Sequence, residues 1–405
     1  MTEARNETWM EIKEAVLEAL NFTDEVTDEQ VLEVIDRTLK MPKFSKNVSL
    51  DRRCALRTEL FHSIRKLDVL EELLEDDDVT EIMINGEHGI FLERQGQLEP
   101  FTGGKISMER LEDLVVKITG MSNRMINEAS PLADARLRDG SRVHMAISPV
   151  ALDGVVITIR KFPKHAIDLE DLLEKKSLNQ EMADFLKKAV KAKYNIFVSG
   201  STGSGKTTLL NVLSDFIPEN ERVITIEDTA ELQIRKVSNL VRLEARAASV
   251  EGCQEISIRD LLRHSLRMRP DRLIVGEVRG AEAVDMIQAL CTGHAGSMST
   301  GHGNSTRDML SRLETMILMG MDIPLQTVRR QLASGIDLMI HLARLRDKRR
   351  VIMEISEIVD YRDGELLVNV LYRFDESGMG TWKKEGKLQK KEKLIAAGLE
   401  DADGL

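Results

Sequence analysis

The residues best suited to chemistry form one unbroken run, Gly200-Ser201-Thr202-Gly203-Ser204-Gly205-Lys206-Thr207. The run matches the phosphate-binding pattern G-x-x-x-x-G-K-[ST] without a mismatch. Its glycines let backbone N–H groups turn inward around phosphate oxygens, and a following helix adds the positive end of its dipole. Lys206 can reach the β- and γ-phosphates, and the Thr207 hydroxyl can ligate Mg²⁺. The run therefore predicts a site for nucleotide phosphates and Mg²⁺, which extends to Thr208 in the helix.

Four acidic residues follow short apolar runs further along the chain. They are Glu227, Asp228 and Glu231 after residues 223–226, and Glu277 after residues 273–275. The apolar runs are rich in β-branched residues, as buried parallel strands are. In a doubly wound sheet the ligand binds at the carboxyl ends of the strands. Both acidic sites are therefore expected to face the phosphate loop and to orient or polarise an attacking water.

The position before Glu277 departs from the common Walker B motif. That motif offers an aspartate to the metal, whereas Gly276 stands at this step. We infer that Glu277 acts on the metal through water or on the nucleophile.

Two histidines, His294 and His302, lie in a segment of small residues where the backbone can approach a ligand closely. Either could sense a γ-phosphate or couple the site to a neighbouring subunit, and the alternative is a structural histidine. Arginines that could neutralise transition-state charge are Arg136, Arg138, Arg142 and Arg160. Their alternative is a solvated sheet face. A basic cluster at residues 344–350 is either a solvated turn or a contact with acidic lipid or a membrane partner.

The elements that must position these residues divide the chain into five segments. Three amphipathic helical patterns predict a helical bundle over 1–66, and a small α+β domain follows over 67–162. A polar linker is expected over 163–177. Strands alternate with helices over 178–345, which predicts an α/β domain with a parallel sheet and crossover helices. Residues 346–405 are expected to form a hairpin and a charged tail that is weakly ordered from Lys383.

Composition narrows the function classes. The 405 residues are 42% hydrophobic and 31% charged, with a net charge of -11, which argues against a general nucleic-acid binder. The first twenty residues carry no continuous apolar run, so no signal peptide is expected. Cys54, Cys253 and Cys291 lack the spacing of a zinc site, and we expect buried or half-buried thiols. A cytoplasmic location is the simplest reading.

The motifs and their order resemble the type II/IV secretion ATPase superfamily. The match includes TIEDTAE at 225–231, LRMRPD at 266–271, VGEVRG at 275–280 and the two histidines. It covers about 67–345. The N-terminal helical extension and VTEIMING at 79–86 resemble the CpaF type, which serves Flp/Tad pilus assembly.

The resemblance implies more than the residues do alone. It implies a RecA-like ATPase domain, a homohexameric ring, ATP and Mg²⁺ as ligands, and action on an inner-membrane platform protein from the cytoplasmic face. Glu231 matches the presumed catalytic acid, and Glu277 matches the Walker B glutamate. His294 and His302 match the histidine box, and Arg142 and Arg160 are expected near the phosphates.

Alternatives of other classes stay open at this point. The nearest is a motor for type IV secretion of protein or DNA, and a more distant one is a RecA-like nucleic-acid translocase. The acidic composition and the lack of clustered aromatic residues for base stacking weigh against the translocase. A GTPase or small kinase is disfavoured because the chain carries no Asn-Lys-x-Asp element and more domains than a kinase needs. A non-enzymatic regulator would not need the full set of catalytic residue types.

Overall fold

The computed structural model describes residues 2–20, 26–45, 49–94, 96–102, 106–121, 125–162, 167–246, 254–375 and 380–399. The chain forms two compact units, Met1–His165 and Ala166–Leu405. Within the described ranges, no helix is long and apolar enough to cross a membrane.

The first unit begins with a cluster of four helices. They are α1 (Thr2–Ala19), α2 (Asp28–Leu39), α3 (Pro42–Ser45) and α4 (Leu50–Arg65). The capping box that the sequence predicts at Thr27 and Gln30 is confirmed, with reciprocal backbone to side-chain hydrogen bonds that start α2. Ile12, Ile35 and Leu60 are fully buried where the helices pack together.

The rest of the first unit is a six-stranded sheet with two helices. Its elements are α5 (Leu70–Glu75), β1 (Val79–Asn85), β2 (Ile90–Arg94), β3 (Gln97–Pro100), α6 (Met108–Met121), β4 (Leu132–Arg136), β5 (Arg142–Ala146) and β6 (Val156–Arg160). The strand order is β3-β2-β1-β6-β5-β4, and the pairs are antiparallel. Apolar residues alternate along the strands, and those on one face, such as Ile82, Val143 and Ile157, are buried in a core to which α6 also contributes.

The second unit is built on a nine-stranded sheet. Its elements are α7 (Leu169–Glu174), α8 (Gln180–Lys191), β7 (Ile196–Gly200), α9 (Lys206–Ser214), β8 (Arg222–Glu227), β9 (Asn239–Glu244), α10 (Ile258–Ser265), β10 (Arg272–Val275), α11 (Ala283–Cys291), β11 (Met298–His302), α12 (Thr306–Gly320), α13 (Leu325–Gly335), β12 (Leu338–Arg344), β13 (Arg350–Arg362), β14 (Glu365–Asp375), β15 (Thr381–Lys384) and α14 (Glu392–Ala396). The strand order is β15-β14-β13-β12-β7-β11-β10-β8-β9. The pairs from β12 to β9 are parallel, and those from β12 to β15 are antiparallel.

Helices cover both faces of the parallel part of this sheet. One core contains side chains of α8 and α9, and the other contains side chains of α11, α12 and α13. Because both faces are covered, β7, β8 and β10 are buried almost without interruption. The predicted α/β architecture with crossover helices is confirmed.

Two predicted boundaries need correction. The expected linker over 163–177 contains α7, which begins at a capping box on Asp168 and buries Leu172 in the second unit; residues 163–166 lie outside the described residues. Residues 350–375 form the predicted hairpin as β13 and β14, but this hairpin and β15 continue the sheet of the second unit and are not a segment apart from it. The cause is the long β12–β13 pairing, which the sequence pattern alone did not reveal.

The charged tail is not weakly ordered in its described part. Leu388 and Leu394 are buried in the core of the second unit. The carboxylate of Glu357, which is fully buried, accepts the backbone N–H groups of Gln389 and Lys390. Lys393 pairs with Asp337. Apolar anchors spaced among charged residues therefore fix a segment that the charge alone suggested to be mobile.

The prediction of buried or half-buried thiols was wrong for Cys54, which is exposed, and Cys253 lies outside the described residues. Cys291 is exposed as a residue, but its thiol is partly buried, and this burial raises the pKa of the thiol. Among the described residues, neither thiol belongs to a group of His, Cys, Asp and Glu side chains that could hold a metal ion.

The docked tail predicts a clear difference between two neighbouring residues of α14. Leu394 is 2% exposed and Ile395 is 56% exposed. Leu394→Ala should lower the free energy of unfolding by about 2 kcal/mol because it opens a cavity, whereas Ile395→Ala should change it by less than about 0.5 kcal/mol. Urea unfolding followed by circular dichroism measures both. Equal values for the two variants would mean that the tail is not docked.

Candidate nucleotide site

The phosphate loop runs from the end of β7 to the start of α9. Gly205 immediately precedes α9 with φ 96°, a left-handed conformation that favours glycine. A Cβ on Gly200 would lie 2.5 Å from both Leu342 O and Ser204 Oγ, so this position also excludes a side chain. The loop therefore has the tight backbone that a phosphate cradle requires.

The lysine of the loop is held at its inner side. Lys206 is 8% exposed, and its Nζ donates to the carbonyl oxygens of Gly200 and Ser201 at 3.2 and 3.1 Å. Nζ also lies 3.4 Å from Nδ1 of His302. Because an ammonium group can only donate, Nδ1 must accept, which places the histidine proton on Nε2.

His302 connects the lysine to the predicted catalytic carboxylate. Its Nε2 lies 2.6 Å from Oε1 of Glu277. Burial lowers the pKa of His302, the charge of Lys206 lowers it further, and Glu277 opposes both. The lowered pKa favours a neutral imidazole, which lies between Lys206 and Glu277 and contacts both without adding charge.

The other oxygen of Glu277 contacts an arginine. Arg279 Nη2 lies 2.8 Å from Oε2 of Glu277, and its Nη1 lies 3.8 Å from Asp228. Arg279 thereby joins the two acidic sites at the edge of the sheet. Sequence reasoning missed its role, although its place two residues after Glu277 was a usable signal.

These residues meet because parallel strands end together. His302 pairs with Gly200 in the β11–β7 register, Val275 pairs with Ser299 in β10–β11, and Ile226 pairs with Val275 in β8–β10. The residues that follow each strand therefore lie at the same edge as the phosphate loop. The structure brings Lys206, Glu277 and His302 together there.

Glu227 ends β8 and turns its carboxylate into the protein. It is 3% exposed, and its Oε1 accepts the backbone N–H groups of Glu231 and Leu232 at 2.7 and 2.8 Å. Burial raises the pKa of Glu227. A Cβ on Gly276 would lie 2.9 Å from Cγ of Glu227. Gly276 thus leaves room for a glutamate from the neighbouring strand, which accounts for the departure from the Walker B motif.

His294 is separated from the other candidates. It precedes β11 by four residues, whereas His302 ends that strand, so His294 lies near the opposite edge of the sheet from the phosphate loop. Its Nδ1 lies 3.2 Å from the carbonyl oxygen of Ala289, at the end of α11. Within the second unit, the structure does not support the grouping of both histidines in the nucleotide site, because a full strand runs between them.

The candidate arginines lie in the first unit, in one row across three strands. Arg136 pairs with Arg142 in the β4–β5 register, and Arg142 pairs with Arg160 in β5–β6. Arg160 Nε lies 3.7 Å from Glu81. Like charges directly opposite each other destabilise a sheet, so an anion bound beside this row would relieve the repulsion between its arginines. Arg138 is exposed in the turn between β4 and β5.

One residue of the basic cluster reaches the phosphate loop. Arg350 begins β13, and its Nε donates to the carbonyl oxygen of Gly203 at 2.9 Å. The two residues are 147 positions apart, so no local sequence signal could have linked them. The turn that precedes Arg350 is closed by the pair of Arg349 with Asp347.

The residues present fit a nucleotide with Mg²⁺. The loop offers the glycine backbone for phosphate oxygens and Lys206 for their charge. Thr207 is the second residue of α9, where its hydroxyl can ligate Mg²⁺. Among the described residues, no group of His, Cys, Asp and Glu side chains could hold a metal ion. Thr207 would hold Mg²⁺ together with oxygen atoms of the phosphates.

Comparison with known proteins agrees with this arrangement. The sequence profile of the family named Type II/IV secretion system protein matches residues 64–372. The chain is 32% identical over 312 residues to a putative conjugal transfer protein of Mycobacterium tuberculosis, covering 74% of this chain and 88% of that protein. It is also 32% identical over 324 residues to the type IV secretion system protein PtlH of Bordetella pertussis, covering 74% and 94%.

A solved structure shares the fold. The Legionella pneumophila ATPase DotB superposes with a TM-score of 0.54 at 24% identity, covering 73% of this chain and 80% of that one.

The contacts of His302 predict opposite effects of its two charged neighbours. NMR of ¹³C-histidine-labelled protein should find the His302 pKa below the ordinary value of 6.5. Lys206→Met should raise this pKa, because a positive neighbour that disfavours imidazolium is gone. Glu277→Gln should lower it further, because the carboxylate that favours imidazolium is gone. Loss of one resonance in His302→Gln assigns the signal. Shifts of the same sign in the two variants would contradict the geometry.

Proposed function

We propose that this chain, which belongs to the type II/IV secretion system protein family, hydrolyses ATP to ADP and phosphate and drives a secretion or pilus-assembly machine with the energy released. The carrying observation is the contact series Lys206–His302–Glu277 at the mouth of a complete phosphate loop. It joins a group that binds phosphate to a group that can polarise water. A purely structural nucleotide site would not need that connection.

The side chains divide the work by charge. Lys206 attracts the β- and γ-phosphates, and His302, kept neutral, contacts Lys206 and Glu277 without adding charge. Glu277 and Glu231 are the carboxylates assigned to orient and deprotonate the attacking water. Thr207 and Glu277 would hold Mg²⁺, which would supply positive charge to the phosphates.

The remaining positive charge is assigned to the first unit. Arg142 and Arg160 lie directly opposite each other on neighbouring strands, where a bound anion would relieve the repulsion between their charges. We assign to them the phosphate contacts that an arginine finger makes, which can increase the rate by roughly 10³- to 10⁵-fold.

The finer assignment is a CpaF-type motor of a Flp/Tad-type pilus. It would work as a homohexamer at the cytoplasmic face of the inner membrane, on a platform protein, without direct nucleic-acid binding. The support is the helical cluster of α1 to α4, most of which precedes the segment that matches the family profile. Such an extension is what the resemblance to the CpaF type implies.

A second candidate is a motor of a type IV secretion system. It is favoured by relatives that carry that name or a conjugal-transfer name at 32% identity, over 74% of this chain. The two candidates share the ATPase chemistry and differ in the membrane partner. Pull-down of the full-length protein with pilus or conjugation platform proteins separates them.

Two substitutions test the ATPase assignment. Lys206→Ala should lose nucleotide binding and turnover together. Glu277→Gln should keep the affinity for a fluorescent ATP analogue while phosphate release falls by about 100-fold or more, because the loop remains intact without the carboxylate. Glu219→Gln, an exposed glutamate outside the site, serves as control.

Turnover within two-fold of the unaltered protein in Glu277→Gln would remove this carboxylate from the mechanism. Turnover that appears in all variants only with single-stranded DNA would favour the translocase class instead.

A further inference from the structure

The segment that carries Glu231 is irregular, yet each of three successive backbone N–H groups has a side-chain acceptor. The N–H groups of Glu231 and Leu232 donate to Glu227, and that of Gln233 donates to Oδ1 of Asn211 at 2.9 Å. Regular strands and helices satisfy such groups with backbone carbonyls. Here the side chains of Glu227 and Asn211 accept the hydrogen bonds instead.

We propose that Asn211 and Glu227 are positioning residues that clamp residues 231–233 and thereby hold the Glu231 carboxylate in place for hydrolysis. This inference rests on the proposed ATPase function. Neither residue is assigned contact with the reacting atoms.

Asn211 ties the segment to the helix that leaves the phosphate loop. It lies four residues after Thr207 on α9, so both side chains are on the same face of that helix. The hydrogen bond to Gln233 therefore places the acidic segment along the face that carries the Thr207 hydroxyl. Movement of α9 with the phosphate loop would move this segment with it.

Glu227 ties the same segment to the end of β8. Its side chain is buried, and Oε2 has no hydrogen-bond partner among the described residues. Burying a carboxylate costs free energy unless it is hydrogen-bonded or paired. Here Oε1 accepts two backbone N–H groups, and these bonds and Arg242 lower the pKa that burial raises. These contacts offset the cost of burial and hold the backbone of the segment beside the site.

The third element that contacts this segment is β9. Arg242 Nη2 donates to the carbonyl oxygen of Leu232 at 3.3 Å. Donors and acceptors of this short segment are thus held from α9, β8 and β9 together. A segment fixed from three elements has little freedom to carry Glu231 away from the edge of the sheet.

The test compares Asn211→Ala with Asn211→Asp, which retains an oxygen acceptor for Gln233. Asn211→Ala should leave the affinity for a fluorescent ATP analogue within two-fold and lower kcat by about 100-fold, because small misplacement of a catalytic group costs that much. Hydrogen exchange at Gln233 should speed up roughly fivefold after loss of one hydrogen bond. Asn211→Asp should restore most of the kcat and most of the protection from exchange at Gln233. Asn220→Ala, an exposed asparagine after α9, is the control.

Glu227→Gln gives an independent variant, because the amide oxygen can still accept both N–H groups. It should keep slow exchange at residues 231 and 232, whereas Glu227→Ala should lose it.

Three results would overturn the clamp. The first is a kcat within two-fold of the unaltered protein in Asn211→Ala. The second is unchanged exchange at residues 231–233. The third is faster exchange over the whole second unit, which would show general loss of structure. No turnover by the unaltered protein would instead overturn the proposed function, since the exchange measurements do not depend on ATP hydrolysis.

Discussion

The candidate site depends on the alignment of four parallel strands. β7, β11, β10 and β8 are neighbours, and a shift of one residue in any pair would turn the terminal side chains to the other face of the sheet. The register is specified because helices bury both faces, so each strand position must match an apolar layer. Stability of the core and geometry of the site are therefore set by the same constraint.

Beyond the strand ends, irregular segments are held by buried carboxylates. Glu227 accepts two backbone N–H groups of the acidic segment, and Glu357 accepts those of Gln389 and Lys390 in the tail. In both cases a carboxyl group is buried, and its hydrogen bonds with backbone N–H groups offset the cost of removing it from water. The same interaction fixes a segment of the site at one place and a structural segment at another.

The sequence predicted what is local and missed what depends on distant pairing. The phosphate loop and the acids after β8 and β10 follow from short patterns, because a glycine-rich turn and an apolar strand are encoded within a few residues. Arg350 could not be assigned, since its contact with Gly203 spans 147 positions. His294 was grouped with His302 because they are near in sequence, whereas β11 separates them in space. Glu227 carried an acidic signal but no indication that it would turn inward.

The proposed function is an ATP-driven motor that works as a homohexamer. The most direct measurement is phosphate release by the purified protein over a range of concentrations, with the mass in solution recorded at each. We expect turnover per chain to rise as hexamers form, because the proposed motor works only as an assembled ring. Turnover by a monomer that does not change with concentration would contradict it, and so would hexamers that release no phosphate.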